Sequence, residues 1–148
     1  RAGFVGYDEE MLKKAAPLLK ERARTLTEAK AMLEGELSGL FRAPELVRET
    51  LMAKEPDDRP GATKEALQAV LELLEGMGGD VTAESAKEAL MPLADAEEAK
   101  GKGGRGAVLW PLRYALSGQE KSPDPFTLVA VLGVHEAASR VRTALDIL

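Results

Sequence analysis

Residues 124–148 read DPFTLVAVLGVHEAASRVRTALDIL, and this stretch already indicates a helical protein. Asp124 has a side chain that caps helices and Pro125 suits a first helical position, so a helix is predicted from there to Leu132. Gly133 ends that helix. The remaining residues repeat apolar side chains every three to four positions, which predicts a terminal amphipathic helix over residues 136–148 on Ala137, Val141, Leu145 and Leu148.

Helical spacing also fills the upstream part of the chain, whereas hairpin turns and clusters of β-branched residues are nearly absent. Thr25 and Glu28 have the spacing of a capping box, Thr63 is the predicted cap of a later helix, and Thr82 or Asp80 begins the next one. The predicted upstream helices cover residues 8–24, 25–41, 43–53, 64–75 and 82–99.

The segment over residues 100–106 is predicted to be a flexible basic loop, because its four glycines would lose too much backbone entropy in a helix. It lacks the spacing of a phosphate-binding P-loop. Pro111 is expected in the first turn of a short helix that ends at Ser117 and Gly118, and residues 119–124 are expected to be a loop. The prediction is therefore an all-α helical bundle of seven to eight helices in two small subdomains, residues 1–78 and 79–148.

Composition excludes several classes of function. The chain has 148 residues, no cysteine and one histidine, so disulfides, thiolate zinc sites and a Ser-His relay are not expected. No apolar run is long enough to span a bilayer, and no export signal is visible, so we expect a cytoplasmic protein without a membrane partner. We also expect a monomer. Because the sequence begins at Arg1 and not at a methionine, we expect it to be a piece of a longer chain.

Charge is distributed unevenly around a net value of −5. Residues 11–30 carry six basic side chains against two acidic ones, and residues 100–114 carry four basic side chains and no acidic one. The stretch between them, residues 31–99, has 16 acidic side chains against 6 basic ones. The two basic segments are candidates for contact with nucleic acid, and the alternative is that they are ordinary solvated surfaces.

Catalysis within this chain is not supported by its titratable residues. His135 is the only histidine, the residue type most often used in acid–base catalysis, and it is expected at the surface near the start of a helix. The adjacent carboxylates Asp57 and Asp58, and likewise Glu97 and Glu98, are expected to be solvated.

A rigid polar loop, Ser122-Pro123-Asp124-Pro125, is the more promising feature. Its prolines fix the backbone and remove two donors, while aromatic rings and cations occur nearby in the sequence. Such a loop suits the reading of unstacked RNA bases, and the alternative is a proline-rich helix connection with core aromatics. The flanking rings are those of Trp110, Tyr114 and Phe126, and the cations are Arg113 and Lys121.

Four segments together resemble a known family. They are PLRYALSG at residues 111–118, KSPDPF at 121–126, VLG at 131–133 and ERARTLTE at 21–28. In this order and spacing they are similar to the C-terminal anticodon-binding region of bacterial glutamyl-tRNA synthetases. The likeness covers nearly the whole chain.

The resemblance implies a class I synthetase whose catalytic half carries H-I-G-H and K-M-S-K-S type signatures, and neither signature occurs in this sequence. The parent chain is then expected to be a glutamate–tRNA ligase that uses ATP with Mg, whereas this fragment is expected to be non-catalytic and to hold no cofactor. Its expected partner is tRNA(Glu). The alternative is a helical protein–protein adaptor that docks through residues 31–99. DNA is not an expected partner, because no helix is rich in Arg, Asn or Gln.

The resemblance also assigns site residues. It implies that the loop with Ser122, Pro123, Pro125 and Phe126 lies against the first two anticodon bases, although the family often has leucine where Pro125 stands. An arginine reads the third base, and Arg22 fits that role best, with Arg24 as its competitor. Contacts with phosphates are expected from the remaining cations, which are Lys102, Arg105, Arg113 and Lys121.

Overall fold

The structure, a computed structural model, describes residues 13–14, 16, 44–78, 80–100 and 103–148. These ranges contain helices and no strand, which confirms the all-α class, and residues 13, 14 and 16 are helical as well. The expected total of seven to eight helices includes two, over residues 8–24 and 25–41, that lie almost wholly outside the described residues. Over residues 44–148 the helices are α1 (Arg48–Leu51), α2 (Ala62–Gly76), α3 (Ala83–Ala99), α4 (Gly106–Ser117), α5 (Pro125–Leu132) and α6 (Val134–Asp146).

Helix α4 lies at the centre of the described residues and packs against each of the other five helices. Its Leu112, Ala115 and Leu116 have no exposed surface. A helix that is covered on several sides must be apolar on several sides, and this one is. One of the four segments that resemble the synthetase family, residues 111–118, therefore lies almost wholly in the central helix.

A single apolar cluster joins α1 to α6 across the described residues, from Leu51 to Ala144. Helix α2 contributes Leu67, Val70 and Leu74, all without exposed surface, and packs against α4 and α6. The division into subdomains 1–78 and 79–148 stays a prediction. Within the described residues, α2 packs across that division.

The start of α2 differs from the prediction, which placed Thr63 at the cap. The capping position belongs to Gly61, and Thr63 lies inside the helix. The backbone N–H of Thr63 donates to Glu55 Oε1 at 3.0 Å. A carboxylate from the preceding connector thus satisfies a first-turn donor that the cap residue leaves open.

Helix α4 begins earlier than predicted, at Gly106, so Pro111 lies inside it and not in its first turn. A proline there removes one backbone hydrogen bond. Ala107 and Val108 are 1% exposed, and their burial in the core favours the extra turn in spite of that loss. The glycine-rich loop is shortened accordingly.

Helix α1 is much shorter than the predicted helix over residues 43–53. Residues 44–47 are non-helical because they are attached to the central helix: the backbone N–H of Val47 donates to the Tyr114 hydroxyl at 2.9 Å. The contact joins residues far apart in the sequence, so local helix propensity does not decide the outcome.

Several predicted boundaries are confirmed. Thr82 caps α3 and exchanges hydrogen bonds with Ser85, and α3 ends at Ala99. Asp124 caps α5 by accepting from the Thr127 N–H at 2.9 Å, and Pro125 is the first residue of that helix. The terminal helix starts at Val134, two residues before the predicted position.

None of the helices among the described residues is both long enough and apolar enough to cross a membrane.

Candidate nucleic-acid interface

The loop between α4 and α5, residues 118–124, is shaped by short-range hydrogen bonds. Gly118 adopts φ +69°, a left-handed conformation that turns the chain out of α4. The Ser117 hydroxyl donates to Arg113 O at 2.8 Å and accepts from the Gln119 N–H at 3.1 Å. The loop therefore leaves the helix in a fixed direction.

The predicted base-contacting residues, two in this loop and two in the first turn of α5, are largely buried. Ser122 is 9% exposed and its hydroxyl donates to Pro123 O at 3.0 Å. Pro123 and Pro125 are buried, and Phe126 is part of the apolar core. Of these four residues, Pro125 also lines a surface hollow.

That hollow has a volume of about 280 Å³ and lies where α4 meets the start of α5. Its rim has two basic side chains and one acidic side chain around an indole ring. The lining residues are Lys54, Gly106, Leu109, Trp110, Arg113, Asp124 and Pro125.

The Trp110 indole organises this hollow. Its Nε1–H donates to Thr50 O at 2.7 Å. The Lys54 ammonium lies 5.7 Å from the ring centroid and the Arg113 guanidinium lies 5.5 Å from it, both within cation–π range. Arg113 Nη2 also donates to Glu120 O at 2.9 Å, which ties the loop to the same cation.

Arg105, at the other end of α4, has a different environment. Its Nε is 2.8 Å from Asp95 Oδ1 and 3.1 Å from Glu98 Oε2. The hydrogen bond to Asp95 and the negative charges of both carboxylates raise the pKa of this already basic guanidinium. The structure therefore separates Arg105 from Arg113, although both were expected to contact phosphates.

The prediction that Glu97 is a solvated charge is wrong. Its side chain is only 11% exposed, and it pairs with Arg59 and with Lys100, whose Nζ is 2.9 Å from Glu97 Oε1. Burial alone would raise the pKa of Glu97, but hydrogen bonds from Lys100 and Arg59 and their positive charges lower it below its ordinary value. Glu97 thereby connects the α1–α2 connector to the end of α3. Its neighbour Glu98 and the pair Asp57 and Asp58 are exposed, as expected.

The comparisons with known proteins point in one direction. Residues 4–145 match the protein family described as the anticodon binding domain. The chain belongs to this family. The resemblance found in the motifs at residues 21–28 and 111–133 is thereby confirmed.

Individual relatives of this anticodon binding domain carry a common name. The chain is 36% identical over 140 residues to glutamate–tRNA ligase 1 of Mesorhizobium japonicum, covering 95% of this chain and 27% of that protein. It is 38% identical over 136 residues to glutamate–tRNA ligase 1 of Methylorubrum extorquens, covering 92% of this chain and 26% of that protein. The chain spans about a quarter of the length of these relatives.

A solved structure has the same fold. It is the crystal structure of a glutamate tRNA ligase from Elizabethkingia meningosepticum in complex with its amino acid. The TM-score is 0.70 at 35% sequence identity, and the match covers 95% of this chain and 25% of that one. The helical arrangement is therefore shared with the corresponding quarter of a tRNA ligase.

Within the anticodon binding domain, the predicted site residues fall into three groups. The first group lies around the α4–α5 loop: Arg113 near the end of α4, the exposed Lys121 with Ser122 and Pro123 in the loop, and Pro125 and Phe126 at the start of α5. Arg105 lies apart, among carboxylates. The third group, Arg22, Arg24 and Lys102, lies outside the described residues.

Sequence reasoning missed Lys54 as a member of the site. It precedes an acidic, proline-rich connector and is far from Trp110 in the chain, so no local pattern joins the two. Trp110 was singled out as a stacking face for bases, whereas the structure places two cations over its ring. His135 is exposed in the first turn of α6, as predicted. The part of the chain that the structure describes has no group of three or more His, Cys, Asp or Glu side chains positioned to hold a metal ion.

Proposed function

We propose that this chain is the anticodon-reading part of a glutamate–tRNA ligase, the enzyme that joins glutamate to tRNA(Glu). The observation that carries the proposal is the family match over residues 4–145. The names of the relatives and the shared quarter of their length support it further. In this proposal the chemistry belongs to a catalytic part outside this chain, which uses ATP with Mg in the cytoplasm, and the enzyme is a monomer.

The α4–α5 loop is the proposed contact with the first two anticodon bases. Proteins read RNA sequence chiefly in single-stranded loops, whose unstacked bases accept both apolar and hydrogen-bonding partners. Pro125 offers an apolar edge at the hollow, and the exposed carboxylate of Asp124 lies beside it. Ser122, Pro123 and Phe126 are buried and support the conformation of the loop.

Phosphate contacts are proposed for Arg113 and Lys121, whose positions beside this loop suit an RNA backbone that follows it. Arg105 is the weaker candidate, because two carboxylates already neutralise it. Lys102, which lies in the same glycine-rich segment as Arg105, is also proposed to contact a phosphate.

The third anticodon base is assigned to Arg22, with Arg24 as the competing residue. A guanidinium donates to the acceptor atoms of a cytosine edge and is always charged, so it suits a base that presents acceptors. Glutamate tRNAs are expected to end their anticodon in C and glutamine tRNAs in G. The arginine therefore supports a preference for glutamate tRNA.

The test is a titration of the chain with fluorescently labelled tRNA(Glu), beside the same tRNA with its third anticodon base changed from C to G. We expect micromolar or weaker binding, which corresponds to a binding free energy no more favourable than about −8 kcal/mol. We also expect a preference for the C form. Arg22→Gln should remove that preference, and Arg24→Gln is the matched control that should keep it.

Binding of neither tRNA would contradict the proposal. Equal binding of both forms would contradict the assignment of Arg22 and leave the RNA-binding proposal standing. Capture of a basic protein through residues 31–99, with no effect of added tRNA, would favour the adaptor alternative.

A further inference from the structure

Two cations share one indole ring at the α1–α4 junction. The Lys54 ammonium and the Arg113 guanidinium lie 5.7 and 5.5 Å from the centre of the Trp110 ring. They come from segments that are far apart in the sequence. The two distances place the like charges at most about 11 Å apart, where they repel one another. An attractive contact with the ring is needed to hold both in one place.

Neither cation is neutralised by the part of the chain that is described. No carboxylate there lies within ion-pair distance of Lys54 or Arg113, and the polar partner of Arg113 is the neutral carbonyl of Glu120. Five other basic side chains of the described residues are paired with carboxylates, namely Arg59, Lys100, Arg105, Arg140 and Arg142. Lys54 and Arg113 share their lack of a carboxylate with some surface lysines, but they alone are gathered on one aromatic ring in this part of the chain. The positive charges of Lys54 and Arg113 are therefore available to bind an anionic ligand.

The ring itself is fixed in place. The indole N–H donates to the carbonyl of Thr50, next to Leu51, which has no exposed surface. Trp110 therefore fastens the segment that carries Lys54 to the helix that carries Arg113. A fixed ring holds its cations in a defined position, and that lowers the entropy lost when they engage a ligand.

We infer that Trp110 is a positioning residue, which holds Lys54 and Arg113 together as one phosphate-binding pair, and that Lys54 is itself an RNA contact. The inference rests on the proposed function, since it deepens the same surface. The ligand class is the phosphate backbone of single-stranded RNA that enters the hollow beside Pro125.

The test measures how the affinity for tRNA(Glu) depends on salt. Each phosphate contact with single-stranded RNA contributes about 0.7 to the slope of log affinity against log salt concentration. Lys54→Gln should flatten the slope by about 0.7. Trp110→Leu removes no charge, yet it should flatten the slope by about 0.7 to 1.4, because it releases one or both cations.

Two further variants separate positioning from folding. Trp110→Phe keeps a ring for the cations but loses the bond to Thr50, so its slope should lie between those of the wild type and Trp110→Leu. Tyr114→Phe removes a comparable tether, the bond to the Val47 N–H at 2.9 Å, and touches neither cation. Its slope should equal that of the wild type even if its melting temperature falls.

An unchanged slope in Trp110→Leu, beside a flattened one in Arg113→Gln, would overturn the inference and leave the proposed function intact. An unchanged slope in Lys54→Gln would also overturn it. If the wild-type chain fails to bind tRNA(Glu) at low salt, both the inference and the proposed function are wrong.

Discussion

The two ends of helix α4 are both basic in sequence and differ in what surrounds them. At the start of the helix, Arg105 lies between Asp95 and Glu98 of α3, and nearby Lys100 is paired with Glu97. Toward its end, Arg113 is stacked on Trp110 and bonded to a backbone carbonyl. A run of basic residues therefore becomes a basic surface only where the fold brings no carboxylate beside it.

The largest expected contrast between the two ends comes from a pair of glycines. Gly118 and Gly104 both have positive φ, at +69° and +56°. A Cβ at Gly118 would lie 2.4 Å from Pro44 Cβ, whereas one at Gly104 would meet nothing within 4 Å. Gly118→Ala should therefore cost about 3 kcal/mol in the free energy of unfolding, and Gly104→Ala about 1 kcal/mol.

Urea denaturation of both variants measures these costs, and tRNA titration at a temperature where both are folded shows which end matters for RNA. Gly118→Ala should weaken binding because it displaces the loop at residues 118–124. Equal unfolding costs would indicate that Pro44 moves aside freely and that the loop is not held as described.

Glu97 provides the second contrast, because we expect it to stabilise the fold and not to contribute to RNA binding. Glu97→Gln should lower the free energy of unfolding by about 2 kcal/mol at pH 7, because Arg59 and Lys100 lose their carboxylate. The pKa of Glu97 is lowered in the folded state, so its contribution is fully present above about pH 4.5. That contribution is lost as the pH falls through the lower folded-state pKa.

Unfolding measured from pH 7 to pH 3 therefore checks the magnitude of the Glu97 contribution to stability and the direction in which it changes with pH. The difference in stability between the wild type and Glu97→Gln should shrink as the pH falls below about 4.5. A difference that grows in acid would mean that burial controls the carboxyl pKa and not its two basic neighbours. Affinity for tRNA at pH 7 should be the same in both proteins.

How far the sequence predicts this molecule depends on the distance between interacting residues. Asp124 and Pro125 start α5 as expected, because an N-cap and a first-position proline act within one turn. Thr63 does not cap α2, since Glu55 reaches its N–H from the preceding connector. Local sequence signals therefore predict where the helices lie. Contacts between connectors and helices shift the residues at which those helices begin or end.

The site follows the same rule. Arg113 and residues 122–126 were identifiable because they belong to two neighbouring motifs, residues 111–118 and 121–126. Lys54 was not, because its nearness to Trp110 depends on how α1 packs against α4. The ion pairs of Arg105 could not be predicted from the sequence either, because they require the end of α3 to lie beside the start of α4.

The smallest expected effect comes from releasing Arg105. The double variant Asp95→Asn, Glu98→Gln should raise the affinity for tRNA by about twofold and steepen the salt slope by about 0.7, because it frees a guanidinium for phosphate. Exposed ion pairs contribute little, so the free energy of unfolding should change by less than about 1 kcal/mol. The matched control is Glu84→Gln, Glu88→Gln, which removes two exposed acids from the same helix.

If the control variant raises the affinity as much as the double variant, the gain reflects net charge alone and Arg105 has not been converted into a contact. A gain confined to the double variant would show that carboxylate neighbours keep this end of α4 from RNA.

The most direct measurement is a parallel titration of tRNA(Glu) with the wild type, Arg113→Gln and Arg105→Gln, each at several salt concentrations. Each variant removes one positive charge from the same helix, so net charge is matched. We predict that Arg113→Gln weakens binding about tenfold and flattens the salt slope by about 0.7, while Arg105→Gln changes the affinity by less than about twofold. Equal losses in the two variants, or a larger loss in Arg105→Gln, would contradict the assignment of RNA binding to the α4–α5 surface.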